Sequence, residues 1–276
     1  MRKLLVVAAV FMIAAGCWQG LSVYMEYQSG QELYGEIAEQ FTGNHDEPDR
    51  EKDRDLDANE LGADISQEKV VTTNETVESE LPPEDAPEQL QVDWKGLKNI
   101  NEDVVAWIQL PALDISYPVV QGEDNSYYLH RSVEKEELFS GCLFMDAYND
   151  PELQNFNTII YGHNMRVGSL FARLKEYDQT DTWADGSYFW IYTEQRDYLY
   201  RIFSSHRATV NGNTFTVRFA DKESYISWLQ KMKDSSNVES DVELKYGDKV
   251  VTLSTCTSGS ETRQILQGVL VYQSIE

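Results

Sequence analysis

The strongest restriction on how this chain can fold comes from residues 45–92, which carry 16 acidic and 4 basic side chains and few large apolar ones. Prolines at 48, 82, 83 and 87 interrupt the segment further. Such a stretch cannot bury enough apolar surface to offset the entropy of ordering it. It holds half of the net charge of −24 and separates a short N-terminal part from everything after residue 92. Residues 93–276 are numerous enough for one sizeable core, so a globular fold is expected there. A charged face of a helical hairpin is the other reading of 45–92.

Residues 4–25 contain no charged side chain. As a helix these 22 residues would reach roughly 33 Å, the thickness of a bilayer core. Arg2 and Lys3 precede the run and Glu26 follows it. The positive-inside rule then leaves the N-terminus in the cytoplasm and exports the rest. A cleaved signal peptide is one alternative. A lipoprotein is another, since Ala14-Ala15-Gly16-Cys17 loosely resembles a lipidation box with Cys17 as acceptor. The expected organisation is a membrane anchor over 1–26, an acidic extracellular stalk over 27–92 that is partly helical or disordered, and a folded domain over 93–276. Leu33, Ile37 and Phe41, with Tyr34 beside them, predict a helix at the start of the stalk. The expected location is the cell membrane, single-pass. The acidic balance argues against a nucleic-acid partner, which needs a basic patch.

From Asp93 the texture changes to short apolar runs. Trp94, Leu97 and Ile100 predict a short helix. Strands are expected over 105–110, 114–121, 141–146, 157–161, 187–193, 198–204, 214–219, 249–256 and 264–273. Helices are expected around Leu170, Phe171, Leu174 and Tyr177, and over 221–233. Many short strands with few helices predict a mainly β barrel or sandwich. Three cysteines, Cys17, Cys142 and Cys256, make no disulfide framework.

Candidate chemistry sits at strand ends. The β-branched run 250–256 ends in Cys256, and Arg263 opens the next apolar run after a six-residue break. Two such strands should pair antiparallel, with Cys256 and Arg263 as neighbours. A guanidinium beside a thiol favours the nucleophilic thiolate. His163 follows Gly162 at the end of another buried run, where an imidazole can exchange protons near neutral pH. Cys142 reads as a buried thiol, His130 as surface or structural, and His45 and His206 as solvated. Asn125 has a bland reading as a helix cap rather than a ligand.

The segment TLSTC (252–256) followed by Arg263, together with YGHNM (161–165), resembles the signature of the sortases. DVVAWIQLP (103–111), ISYPVVQ (115–121), DNSYYL (124–129) and GCLFMD (141–146) resemble class B sortases in particular. This resemblance spans roughly residues 90–276. It implies an eight-stranded β-barrel with peripheral helices, and a cysteine transpeptidase. Such an enzyme cuts a secreted protein's C-terminal sorting signal after a threonine, holds it as a thioester, and transfers it to a peptidoglycan precursor amine. Cys256 would be the nucleophile, His163 the acid and base, and Arg263 the substrate and oxyanion clamp. By the same resemblance Asn125, Leu129, Tyr161 and Ser254 would line the substrate groove, and residues 214–233 would wall it. No metal and no cofactor are implied. A pilus-assembling sortase with a pilin lysine as acceptor, a non-catalytic tethered module and a generic cysteine peptidase are the competing readings.

Overall fold

The computed structural model describes residues 25, 28–44, 81–256 and 261–275. All of the uncharged run of the expected anchor except Met25, with Cys17 in it, and residues 45–80 of the expected stalk lie outside them. Among the described residues, no helix is long and apolar enough to cross a membrane.

Helix α1 occupies residues 28–41. Tyr34, Ile37 and Phe41 recur along one face, and all three are buried. The helix leads into β1 (Thr42–Asn44), which pairs antiparallel with β2 (Leu90–Val92). Both ends of the acidic segment are therefore drawn onto the folded body. Tyr34 also donates its hydroxyl proton to the carbonyl of Gly141 at 2.7 Å. Helix α2 (Trp94–Ile100) follows, capped by the Asp93 carboxylate, which accepts from the Gly96 N–H.

The remaining strands are β3 (Val104–Leu110), β4 (Ile115–Val120), β5 (Leu143–Met145), β6 (Asn157–Gly162), β7 (Tyr188–Tyr192), β8 (Asp197–Thr209), β9 (Val250–Cys256) and β10 (Thr262–Gln273). They close into an eight-stranded barrel in the order β10-β8-β7-β3-β4-β5-β6-β9, with β9 paired to β10. Closure gives every barrel strand a paired neighbour on both sides. Trp107, Trp190, Phe189 and Leu253 are fully buried. Each such side chain contributes roughly 1.5–3 kcal/mol of transfer free energy. The short helix α3 (Thr180–Asp185) precedes β7. Helix α4 (Lys222–Asp234) buries Tyr225, Trp228, Leu229 and Met232 against Phe203, Val250 and Val269. Its N-terminus is closed by a reciprocal pair, Asp221 and Ser224.

Three expectations are corrected. Residues 214–219 are not a strand: a 3-10 turn spans Asn213–Phe215, and irregular chain follows. The barrel is already closed, and the Asn157 Nδ2 donates to the carbonyls of Thr214 (3.1 Å) and Thr216 (3.0 Å) that a strand partner would have used. The apolar face from Leu170 to Tyr177 is no regular helix. Leu170 has a φ of 53°, which breaks helical geometry, and only a 3-10 turn, Leu174–Asp178, follows. His206 is not solvated. It lies within β8 and is 3% exposed, because the strand continues to Thr209 beneath α4. Its Nδ1 donates to the Ser204 hydroxyl (2.9 Å), which passes its own proton to the Met232 carbonyl (2.7 Å).

Candidate active site

Two strand registers assemble the site. Strands β6 and β9 run parallel with Gly162 level with Thr255, so His163 and Cys256, the next residues along each chain, arrive together at one rim. Strands β9 and β10 run antiparallel with Arg263 opposite Cys256. Because β9 lies between β6 and β10, Cys256 occupies the middle and the other two flank it. The end of β6 can sit there because residue 162 is glycine. A Cβ at that position would run into the Leu143 side chain and come within 2.8 Å of Phe171.

His163 is held by its backbone surroundings. Its Nε2 lies 2.7 Å from the carbonyl oxygen of Leu129. A carbonyl only accepts, so Nε2 carries the proton and Nδ1 is the basic nitrogen of the neutral ring. The Leu129 carbonyl is itself set by a close approach. Gly141 adopts a φ of 55°, and a Cβ there would lie 2.5 Å from Leu129 O and 2.6 Å from Tyr128 O. The His130 ring stacks on His163 with centroids 5.6 Å apart, and it also stacks on Phe139 at 6.1 Å. Burial first, and then the neighbouring His130 and Arg263, hold the His163 pKa below its ordinary 6.5; the Leu129 carbonyl opposes them.

A cleft of about 220 Å³ opens at this rim, lined by Asn125, Leu129, Tyr161, Ser254, His163 and Arg263 among others. All four residues expected to line a groove therefore meet two of the three expected to react, and Cys256 lies at the same strand ends. Ser254 is buried, and its hydroxyl has no hydrogen-bond partner among the described residues. Tyr161 packs against Phe144 (5.2 Å) and Phe215 (6.4 Å). Burial, followed by the charge of Asp146, pushes its phenol pKa up. Asn125 is not the cap of the 3-10 turn Tyr127–His130, which Ser126 precedes. Its amide instead bonds Asp146 and the Ala147 backbone.

Asp146, His130 and Phe215 are neighbours of the cleft that sequence reasoning missed. Asp146 carries the one usable signal, an acid closing the apolar triplet Leu143–Met145. Phe215 was hidden by the expectation of a strand, and His130 by its reading as a surface or structural residue.

A family-wide profile described as a sortase domain matches residues 108–271. Sortase B of Listeria monocytogenes is 33% identical over 186 residues, which are 66% of this chain and 76% of that protein. Sortase B of Staphylococcus aureus is 32% identical over 176 residues, 63% of this chain and 72% of that one. Among solved structures, Clostridium perfringens sortase B superposes with a TM-score of 0.61 at 32% identity, covering 64% of this chain and 99% of that chain. A Staphylococcus aureus sortase B–substrate complex gives 0.62 at 30% identity, with 64% and 83% covered.

Proposed function

The chain belongs to the sortase family, among the class B sortases, and from that premise we propose that it cuts C-terminal sorting signals of secreted proteins after a threonine and passes them to a cell-wall amine. A sortase is a cysteine transpeptidase. In this reading the Cys256 thiolate attacks the threonine carbonyl carbon. The tetrahedral intermediate collapses with loss of the C-terminal fragment, whose amine takes its proton from the His163 imidazolium. The thioester that remains divides one difficult step into two. An amine then attacks the thioester, His163 takes a proton from it, and the thiolate leaves. Arg263 supplies N–H donors and a fixed charge to the substrate carbonyl and its developing oxyanion. Asn125, Leu129, Tyr161 and Ser254 hold the peptide.

The observation that carries this reading is the pair of strand registers that sets His163 and Arg263 on either side of Cys256, at the mouth of one cleft. A similar protein, Staphylococcus aureus sortase B, has been solved as a substrate complex, which supports substrate binding by this chain. A membrane anchor over 1–26 would station the domain where secreted substrate and wall precursor meet.

A peptide-library cleavage assay, run with and without added amine nucleophiles, tests the reading. Cleavage after threonine with amine-ligated product is expected. Hydrolysis that ignores added amine would replace the transferase with a peptidase.

A further inference from the structure

Asp146 follows β5 directly, is 6% exposed, and takes no part in the steps above. Its main chain is pinned. Its N–H donates to Ile159 O (2.9 Å), and its carbonyl accepts from the Asn149 N–H (2.9 Å) and the Gln121 Nε2 (2.9 Å). Its carboxylate accepts three donors. Oδ1 takes the Tyr148 N–H (2.9 Å), while Oδ2 takes the Asn125 Nδ2 (2.8 Å) and the Tyr161 hydroxyl (3.0 Å).

These contacts decide the polarity of two cleft residues. An ionised carboxylate only accepts, so Asn125 must turn its NH2 towards Asp146 and Tyr161 must commit its proton there. The other end of the Asn125 amide is fixed too, since the Ala147 N–H donates to Oδ1 at 2.8 Å. A flipped amide would set oxygen against carboxylate and NH2 against N–H. What remains at Asn125 is one N–H and one lone pair, and at Tyr161 only lone pairs.

We propose that Asp146 is a positioning residue for peptide recognition: it orients Asn125 and Tyr161 so that the groove offers a sorting peptide one amide N–H at Asn125 and an acceptor oxygen at Tyr161. The inference rests on the reading of those two residues as the peptide groove. It assigns them complementary partners, a peptide carbonyl or side-chain amide oxygen for Asn125 and a peptide donor for Tyr161.

Two variants separate positioning from mere structural support. In Asp146→Asn, an amide cannot accept from all three donors. With its oxygen kept on the Tyr148 N–H, its NH2 faces the Asn125 NH2. The double swap Asn125→Asp with Asp146→Asn rebuilds every bond, reversing polarity only between position 146 and its side-chain partners at positions 125 and 161. The amide introduced at position 146 then donates to the carboxylate introduced at position 125 and to the Tyr161 oxygen, and that carboxylate accepts from the Ala147 N–H. The N–H offered to the peptide is gone. Steady-state kinetics on a sorting-signal peptide, thermal midpoints and the rate of Cys256 alkylation by iodoacetamide are the readouts. Asp146→Asn is expected to raise KM about tenfold, the worth of one substrate hydrogen bond, with a smaller change in kcat and a lowered midpoint. The swap is expected to restore the midpoint and leave KM raised, and alkylation rates should match wild type in both. A wild-type KM in Asp146→Asn, or a swap that restores KM along with the midpoint, overturns the inference. If Cys256→Ala cleaved the peptide as fast as wild type, the reading beneath it would fail, and this inference with it.

Discussion

A guanidinium across a strand pair from a cysteine offers an acyl transfer both a fixed charge and parallel N–H donors in one plane. Lysine keeps the charge and loses the plane. Arg263→Lys is therefore expected to lower kcat/KM for a sorting peptide about a hundredfold or more, the usual scale for losing an oxyanion donor. Near-normal turnover in that variant would remove Arg263 from the clamp role. His163 makes a second prediction at this scale. Its burial, with His130 and Arg263 beside it, holds its pKa below 6.5. The proposed mechanism needs one proton shared between thiol and imidazole, so it predicts a kcat/KM that is bell-shaped in pH. The acid limb should have its midpoint below 6.5, and the alkaline limb reports the thiol. A profile flat from about pH 5 to 10 would contradict both assignments. Gly141 makes a third. Its φ of 55° and its approach to the Leu129 and Tyr128 carbonyls leave no room for a Cβ. Gly141→Ala should lose about 1–3 kcal/mol in denaturant unfolding and should shift the His163 titration, because the carbonyl that binds Nε2 must move.

At the scale of elements, what was legible in the sequence follows from what is local. The pairing of β9 with β10 could be read from two β-branched runs and a six-residue break, and with it the neighbourhood of Cys256 and Arg263. The place of His163 could not. It depends on β6 lying parallel to β9, a contact between segments some ninety residues apart, and only the YGHNM resemblance pointed to it. The segment 214–219 was misread because alternation of apolar residues does not report whether a strand partner is free. Asn157 takes that partner's place, with its Nδ2 on two carbonyls and its Oδ1 accepting from Thr252 (2.7 Å). Asn157→Ala should cost about 2–4 kcal/mol, since it strands buried polar groups. Amide exchange should then quicken over 213–219 while β6 and β9 keep their protection. Unchanged exchange there would show that the segment is held by Phe215 and Trp228 instead. Helix α1 was expected from its spacing, but its burial against the barrel was not. Dense like charge nearby disguised a face made of Tyr34, Ile37 and Phe41.

For the molecule as a whole, the acidic composition left the pH response unread. His206 supplies part of that response. Burial drives its pKa down to about 4. The unfolded chain takes up this proton near pH 6.5 and the folded chain only near 4. The contribution to stability is therefore whole above pH 6.5 and is lost as the pH falls from there towards 4, at most on the order of 3 kcal/mol. Urea midpoints measured from pH 7 to 4.5 should fall more steeply in the native protein than in His206→Gln, and parallel curves would show that His206 does not set this response. Thioester chemistry at the barrel rim is most directly tested by intact-mass spectrometry of the protein mixed with a sorting-signal peptide. A covalent adduct of the peptide's N-terminal part, released by hydroxylamine and lost in Cys256→Ala, is the predicted result. An adduct that survives the substitution, or cleavage that proceeds in its absence, would contradict it.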